Sequence, residues 1–327
     1  MQYTSQITPI ISQLSQELDQ YQFFIQNSPS SPEVQLNLRR KSYLKSSLFS
    51  AKIEGNRLTL EQVNEQLSHS KTKEKLEISN ILSALNLIAS DSSPHQLTVN
   101  FIKKLHLIAL NQLNADTGRF RREISAIFNQ AGVAIYLTPD PKEIEPELNK
   151  LISLSKTKNS HRYITAAISH FWFEKIHPFA DGNGRVGRLL IHYLLDNRSA
   201  NFHGLLNFEE EIEKTRSDYY YFLQHQSKDI TEFTEYLLVC FCTAGKKAVE
   251  LIKQAPTELT SADLLLPRRQ EILNLLHDHE YLSFDQIHRR FYAINPSTLR
   301  NDLRQLMDKD FVVKIGSTRG ALYKVKS

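Results

Sequence analysis

Apolar residues recur at helical spacing along most of the chain. Ile164, Ala167, Ile168 and Phe171 mark one face of a helix over 160–176, and Val186, Leu189, Leu190, Tyr193 and Leu194 mark a face of the next. The polar stretch between them is therefore a loop between two buried helices. Residues 1–28 read as a polar helix, and SPSSPEV at 28–34 is a break rich in Ser and Pro. A helix over 35–54 follows, with Leu44, Leu48 and Ala51 on one face and Gly55 placed to end it. Thr59 and Gln62 have capping-box spacing for the next helix, and further helices are expected over roughly 75–90, 97–114 and 142–155. Short β-prone runs around a Gly at 123–138 read as a small hairpin, in which Ile127, Val133 and Ile135 fit core strand positions. Residues 253–266 look like a linker. Beyond it come helices over 267–277, 283–291 and 296–308, then two strands about a Gly-containing turn.

Composition agrees with a mainly α, globular protein. Only 10 glycines occur in 327 residues, 41% of residues are hydrophobic and 23% are charged, which fits neither disorder nor membrane residence. No apolar run approaches the ~18 residues of a membrane span, and the first residues lack the basic and apolar regions of a signal peptide, so a cytoplasmic protein without membrane contact is expected. Cys240 and Cys242 fall in the apolar segment YLLVCFC and read as buried thiols. A net charge of +4 permits an anionic partner without demanding a nucleic acid.

The loop between the two buried helices carries the candidate chemistry, HPFADGNGRVGR at 177–188. Gly182, Asn183 and Gly184 form a small-residue turn before a helix, where successive N–H groups and the positive helix end can hold a phosphate. Arg185 and Arg188, three apart, can reach one side of the first turn and neutralise a polyphosphate with forked hydrogen bonds. Asp181 would repel that phosphate unless a divalent cation such as Mg²⁺ stood between them. His177 has an ordinary pKa near ~6.5 and suits proton removal from an attacking hydroxyl. Each feature alone is commonly structural. Together, in this order, they point to nucleotide chemistry.

The segment resembles the signature of the Fic family, HxFx(D/E)GNGRxxR, at every specified position: His177, Phe179, Asp181, Gly182, Asn183, Gly184, Arg185 and Arg188. The resemblance implies a Fic-type helical core, ATP as substrate and transfer of AMP to a Tyr, Thr or Ser hydroxyl of a target protein. It implies that His177 is the general base, Asp181 the Mg²⁺ ligand and Phe179 a core anchor. Gly182, Asn183 and Gly184 would form the anion hole, with Arg185, Val186, Gly187 and Arg188 completing the nucleotide-binding stretch. The 123–138 hairpin takes the place of the family's flap, which positions the target. TRSDYYYFLQ resembles the family's stretch after the signature, so Tyr219 or Tyr220 is either a nucleoside contact or aromatic core. SAKIEGN at 50–56 resembles the inhibitory motif (S/T)xxxE(G/A)N through Ser50, Glu54, Gly55 and Asn56. Glu54 would then pair with Arg188 and keep the γ-phosphate from its productive place. A carboxylate in the last turn of a helix is disfavoured by the macrodipole, and a cation from elsewhere would relieve it.

The order of elements after the linker is that of a winged helix-turn-helix domain. Residues 267–327 hold 11 Lys/Arg against 7 Asp/Glu, and Arg300, Arg304 and Arg319 are candidates to face phosphates, while Asp302, Asp308 and Asp310 dilute the basic surface. DNA and a protein partner, including a second copy of the chain, both remain open for this module. The expected organisation is an N-terminal helical region at 1–96 with the inhibitory motif, a catalytic domain at 97–252 and the winged helix at 262–327. Rival readings are removal of AMP from a modified protein with Glu54 aligning water, and a DNA-binding transcriptional regulator with a nucleotide-sensing Fic domain. Doc-like phosphate transfer is disfavoured, since those relatives replace the glycine that stands here as Gly184.

Overall fold

The computed structural model describes residues 2–66, 72–128, 134–156, 161–196, 200–255, 265, 267–279, 281–292, 294–316 and 321–326. The chain divides into two compact units, 1–255 and 256–327. Residues 1–96 and 97–252 share one hydrophobic core within the first.

Fourteen α-helices are present among the described residues, and the fold is mainly α. In the first unit they are α1 (Pro9–Gln26), α2 (Pro32–Ile53), α3 (Leu60–Gln66), α4 (Lys73–Ile88), α5 (Val99–Ala109), α6 (Ile144–Ser155), α7 (Arg162–Ile176), α8 (Asn183–Asp196), α9 (Phe208–Lys214), α10 (Arg216–Gln224) and α11 (Thr231–Gln254). Strands β1 (Ala126–Phe128) and β2 (Ala134–Leu137) pair antiparallel, with Ala126 opposite Leu137 and a bulge at Ile127/Phe128. The hairpin expected at 123–138 is thus present. Val133 lies outside the described residues, as do the side chains of Ile127 and Ile135.

α7 is the centre of the unit. Every residue from Tyr163 to Ile176 is buried, so this helix packs on all sides and is not the one-faced element its spacing predicts. α8 lies against it, α6 packs on α7, and α4 and α5 pack on α8. α1 packs along α11, burying Ile11, Leu18 and Ile25 beside Ser15 and Gln22. The expected helix over 1–28 starts only at Pro9, because Thr4 is held in a parallel bridge to Asp229 and the Thr8 hydroxyl caps the new helix at Ile11 N. α5 ends five residues before the expected 114, where Gln112 takes φ +59°. The Thr59–Gln62 capping box is formed. Cys240 and Cys242 are buried free thiols. No helix among the described residues is long and apolar enough to cross a membrane.

α2 meets its neighbours through two different surfaces. Leu48, Ala51 and Ile53 join the apolar core, whereas Ser42, Ser46 and Ser50 form a buried polar line. Ser42 donates to Gly204 O, Ser46 reaches Asn207 and Glu209, and Ser50 receives Arg188 of α8. The spacing of four places all three on one stripe that faces polar groups.

The second unit contains α12 (Pro267–His277), β3 (Leu282–Ser283), α13 (Phe284–Arg290), α14 (Pro296–Asp308), β4 (Val312–Ile315) and β5 (Leu322–Val325), with strand order β3-β5-β4. Its own core includes Ile272, Leu276, Ile287, Leu299, Leu303 and Leu306. Arg319 and most of the expected linker lie outside the described residues. One surface expectation is corrected: Asp302 is buried and accepts from Arg268 and Arg269, so it does not dilute the outer face of α14. Arg300 and Arg304 are exposed, with the Arg300 guanidinium 4.2 Å from the Phe284 ring.

Candidate active site at the start of α8

α7 stops at His177, which takes φ +48° and ψ +59°, a left-handed conformation uncommon for residues with a β-carbon. Pro178 then cannot continue the helix. The His177 imidazole places Nδ1 3.3 Å from Glu174 O. Only a protonated Nδ1 makes that a hydrogen bond, so the proton is assigned there and Nε2 is the basic atom. Burial, opposed by the Glu174 carbonyl and reinforced by Arg121, holds the imidazole pKa below its ordinary value. The ring is a neutral base at pH 7.

The loop from 178 to 182 is fixed from below. Phe179 is fully buried and stacks on His106 with ring centroids 3.8 Å apart and planes 6° off parallel. His106 Nδ1 accepts the Gly118 N–H at 2.8 Å, which leaves Nε2–H to donate to Asp181 O at 3.0 Å. The Asn183 side chain accepts from Phe179 N at 2.9 Å and donates to Phe179 O at 2.8 Å, so this amide closes the loop on itself. Gly182 has φ +80°, and a β-carbon there would lie 2.5 Å from Leu110 Cδ2. The first intrahelical bond runs from Val186 N to Gly182 O. The N–H groups of 183–185 therefore have no acceptor within the helix and are open to an anion at its positive end.

Charged groups ring that site. Asp181, whose side chain is 57% exposed, accepts through one oxygen from Gly182 N and Arg185. Arg185 is buried and also reaches Glu77 of α4 at 2.7 Å. Asn56 donates to the other Glu77 oxygen at 2.9 Å, which ties the segment after α2 to the arginine. Arg188, 1% exposed, donates to Ser50 Oγ, Ser50 O and Glu54 Oε1 at 2.9, 2.9 and 2.8 Å. Burial works against the Arg188 charge, but Glu54 and the nearby phenols outweigh it and the guanidinium is held above its ordinary pKa. A β-carbon on Gly184 would lie 2.4 Å from Glu54 Oε1, which puts the carboxylate directly over the glycine turn. Ser50, Glu54, Gly184 and Arg188 are thus brought together although 134 residues separate the ion pair.

Four further sequence candidates pack around this site. Val186 is in the core, and a β-carbon on Gly187 would clash with Glu174 and His170 of α7, so Gly187 serves helix packing. Tyr219 is buried with its hydroxyl 2.8 Å from His170 Nε2, while half-buried Tyr220 donates to Ile53 O at 3.2 Å. Burial lowers the His170 pKa to about 3 and pushes Glu174 up to about 8, which disfavours the charged form of each beside Arg188. His106, Glu77, Arg121, His170 and Glu174 were not singled out from sequence. The side-chain partners of His106, Glu77 and Arg121 lie far along the chain, whereas His170 and Glu174 face each other one turn apart on α7.

Residues 96–195 match the family model described as Fic/DOC family. The chain is 27% identical over 265 residues to a protein adenylyltransferase Fic from Drosophila virilis, covering 76% of this chain and 51% of that one. It is 28% identical over 233 residues to the protein of the same description from Drosophila melanogaster, covering 68% and 44%. The chain spans about half the length of the curated relatives it matches. Among solved structures it is similar to a Fic family protein from Desulfovibrio desulfuricans G20, with TM-score 0.70, 24% identity and coverage of 99% and 98%. It is also similar to Fic-1 from C. elegans, with TM-score 0.58, 20% identity and coverage of 75% and 74%.

Proposed function

We propose, from the premise that residues 96–195 are a domain of the Fic/DOC family, that this chain transfers AMP from ATP to a hydroxyl side chain of a protein and is restrained by Glu54. The carrying observation is the His177 imidazole, its Nδ1 3.3 Å from Glu174 O, at the lip of a helix N-terminus with open N–H groups and two buried arginines. The names of the Drosophila relatives support the choice of AMP as the group transferred. In the reaction, His177 Nε2 takes the proton of the target hydroxyl as its oxygen bonds to the α-phosphorus. The bond from that phosphorus to the bridging oxygen breaks, and pyrophosphate leaves with the electron pair. N–H groups of 183–185 stabilise phosphate charge without reorganising. Arg188 reaches the γ-phosphate only when Glu54 has left it.

The exposed carboxylate of Asp181 beside the phosphate site fits Mg²⁺, which takes one or two carboxylates together with phosphate oxygens. Bound there, Mg²⁺ would offset charge on the phosphates. Arg185 holds the Asp181 carboxylate in place.

The test is mass spectrometry of proteins incubated with ATP, Mg²⁺ and the Glu54→Gly variant. An AMP increment on Tyr, Thr or Ser supports the reading; a phosphate increment, or loss of AMP from a modified protein, replaces it. Asp181→Ala should lower transfer about tenfold by leaving phosphate charge uncompensated, and EDTA should do the same to the parent. Full activity in EDTA would remove Asp181 from this role.

The second unit is read as a module for duplex DNA, favoured by Asp302 being turned inward while Arg300 and Arg304 stay exposed on α14. Affinity should fall steeply with salt, and Arg304→Ala should reduce the slope of log K against log[salt] by about one unit. No binding to any duplex at low salt would make the unit a protein-interaction or dimerisation domain instead.

A further inference from the structure

One side chain ties the β1–β2 hairpin to the end of α7. Arg121, buried, donates from Nε to His177 O at 2.8 Å, from Nη1 to Glu123 O at 2.7 Å, and from Nη2 to Pro139 O at 2.7 Å and Ile176 O at 3.3 Å. Its own N–H donates to Pro178 O at 3.0 Å. Glu123 and Pro139 are the two feet of the hairpin, flanking the closing contacts between Ser125 and Thr138. A guanidinium carries its five N–H groups in one rigid plane, so the hairpin feet and the His177 carbonyl share a single frame. That carbonyl belongs to a residue in the left-handed region, a conformation that persists only when its surroundings over-determine it. A second tie runs alongside: buried Lys175 Nζ, without a hydrogen-bond partner, sits 4.4 Å from the ring of Tyr136 in β2.

We propose that Arg121 is a positioning residue that holds the hairpin, and the target segment docked on it, in fixed register with the His177 imidazole. The inference rests on the reading of His177 as general base and of the hairpin as the target's docking element. Arg121 does not touch the nucleotide site. Its effect is on the distance and angle between the attacking hydroxyl and the base, to which rate is steeply sensitive.

The test compares Arg121→Lys with its parent in the Glu54→Gly background. Lysine keeps the charge but cannot serve three carbonyl-bearing segments from one plane. With activity normalised to ATP-binding sites, kcat should fall about tenfold and KM for the protein target should rise, while Kd for ATP measured by calorimetry stays within about twofold. A merely structural role would lower Tm and the number of binding sites without changing kcat per site or KM; that pattern would overturn the proposal. Failure of the Glu54→Gly parent to transfer AMP at all would count against the functional reading and not against the coupling. Should Arg121→Lys not fold, hydrogen exchange on the unaltered chain decides the matter. The amides of Arg121 and Thr138 should open together with equal protection, and independent opening would overturn the proposed coupling.

Discussion

Replacing Glu54 with Gly is expected to raise AMP transfer by ~10², both to protein targets and to the enzyme itself. The carboxylate holds the guanidinium proposed above for the γ-phosphate and lies over Gly184 at the mouth of the proposed anion site. Nucleotide entering beside it must seat its phosphates out of line with the attacking oxygen. The loss is therefore in turnover more than in affinity. The pair is not an ordinary surface salt bridge worth ~0–1 kcal/mol, since Arg188 is 1% exposed and the Glu54 side chain only 28%. Its removal leaves Arg188 with the two neutral acceptors of Ser50, so a lower Tm without nucleotide is expected and should be recovered as ATP is added. Arg188→Ala should not mimic the activation, because on the proposed reading the same arginine places the γ-phosphate, and the double variant should be as poor as Arg188→Ala alone. Steady-state transfer rates for the four proteins check the set. Unchanged transfer by a folded, ATP-binding Glu54→Gly variant would sink the inhibitory role.

His177→Ala should reduce transfer by ~10²–10⁴ while leaving ATP affinity nearly intact. The phosphate contacts proposed above come from α8 and should survive the change. Because residue 177 is left-handed, Ala also adds backbone strain; His177→Asn separates the effects, since Asn tolerates that region. Both variants should lose rate equally if base loss is the cause. In the active parent, the acid limb of kcat/KM should lie below the ordinary ~6.5 of histidine, because burial disfavours the imidazolium. The sign is fixed: the base is lost as pH falls through the depressed value. Parental rates in His177→Ala would assign the proton to another group.

What could be read from sequence was the chemistry carried by adjacent residues. The run from His177 to Arg188 lies within one turn and one helix start, so spacing alone sets its geometry. The Glu54–Arg188 contact was also foreseeable, because a carboxylate at a helix C-terminus calls for a cation and the motif resemblance named one. Side-chain direction was less legible. The glycine-rich turn suggested that Asn183 offers the anion its backbone N–H, but nothing in it signalled that the Asn183 side chain closes on Phe179 or that Gly187 faces α7. His106, Glu77 and Arg121 carry no local pattern, since their partners are 75, 108 and 56 residues away. In the second unit, Asp302 looked like surface by its type, and only the approach of Arg268 and Arg269 from α12 explains its burial.

The contact between Glu54 and Gly184 also constrains how this sequence can drift. A methyl group at 184 and a carboxylate at 54 compete for the same 2.4 Å of space, so the two positions cannot be filled independently. Any side chain gained at 184 evicts the Glu54 carboxylate, and shortening residue 54 removes most of the obstacle to that gain. The effect of a substitution at either site then depends on the residue at the other, an epistasis imposed by volume before any chemistry is considered.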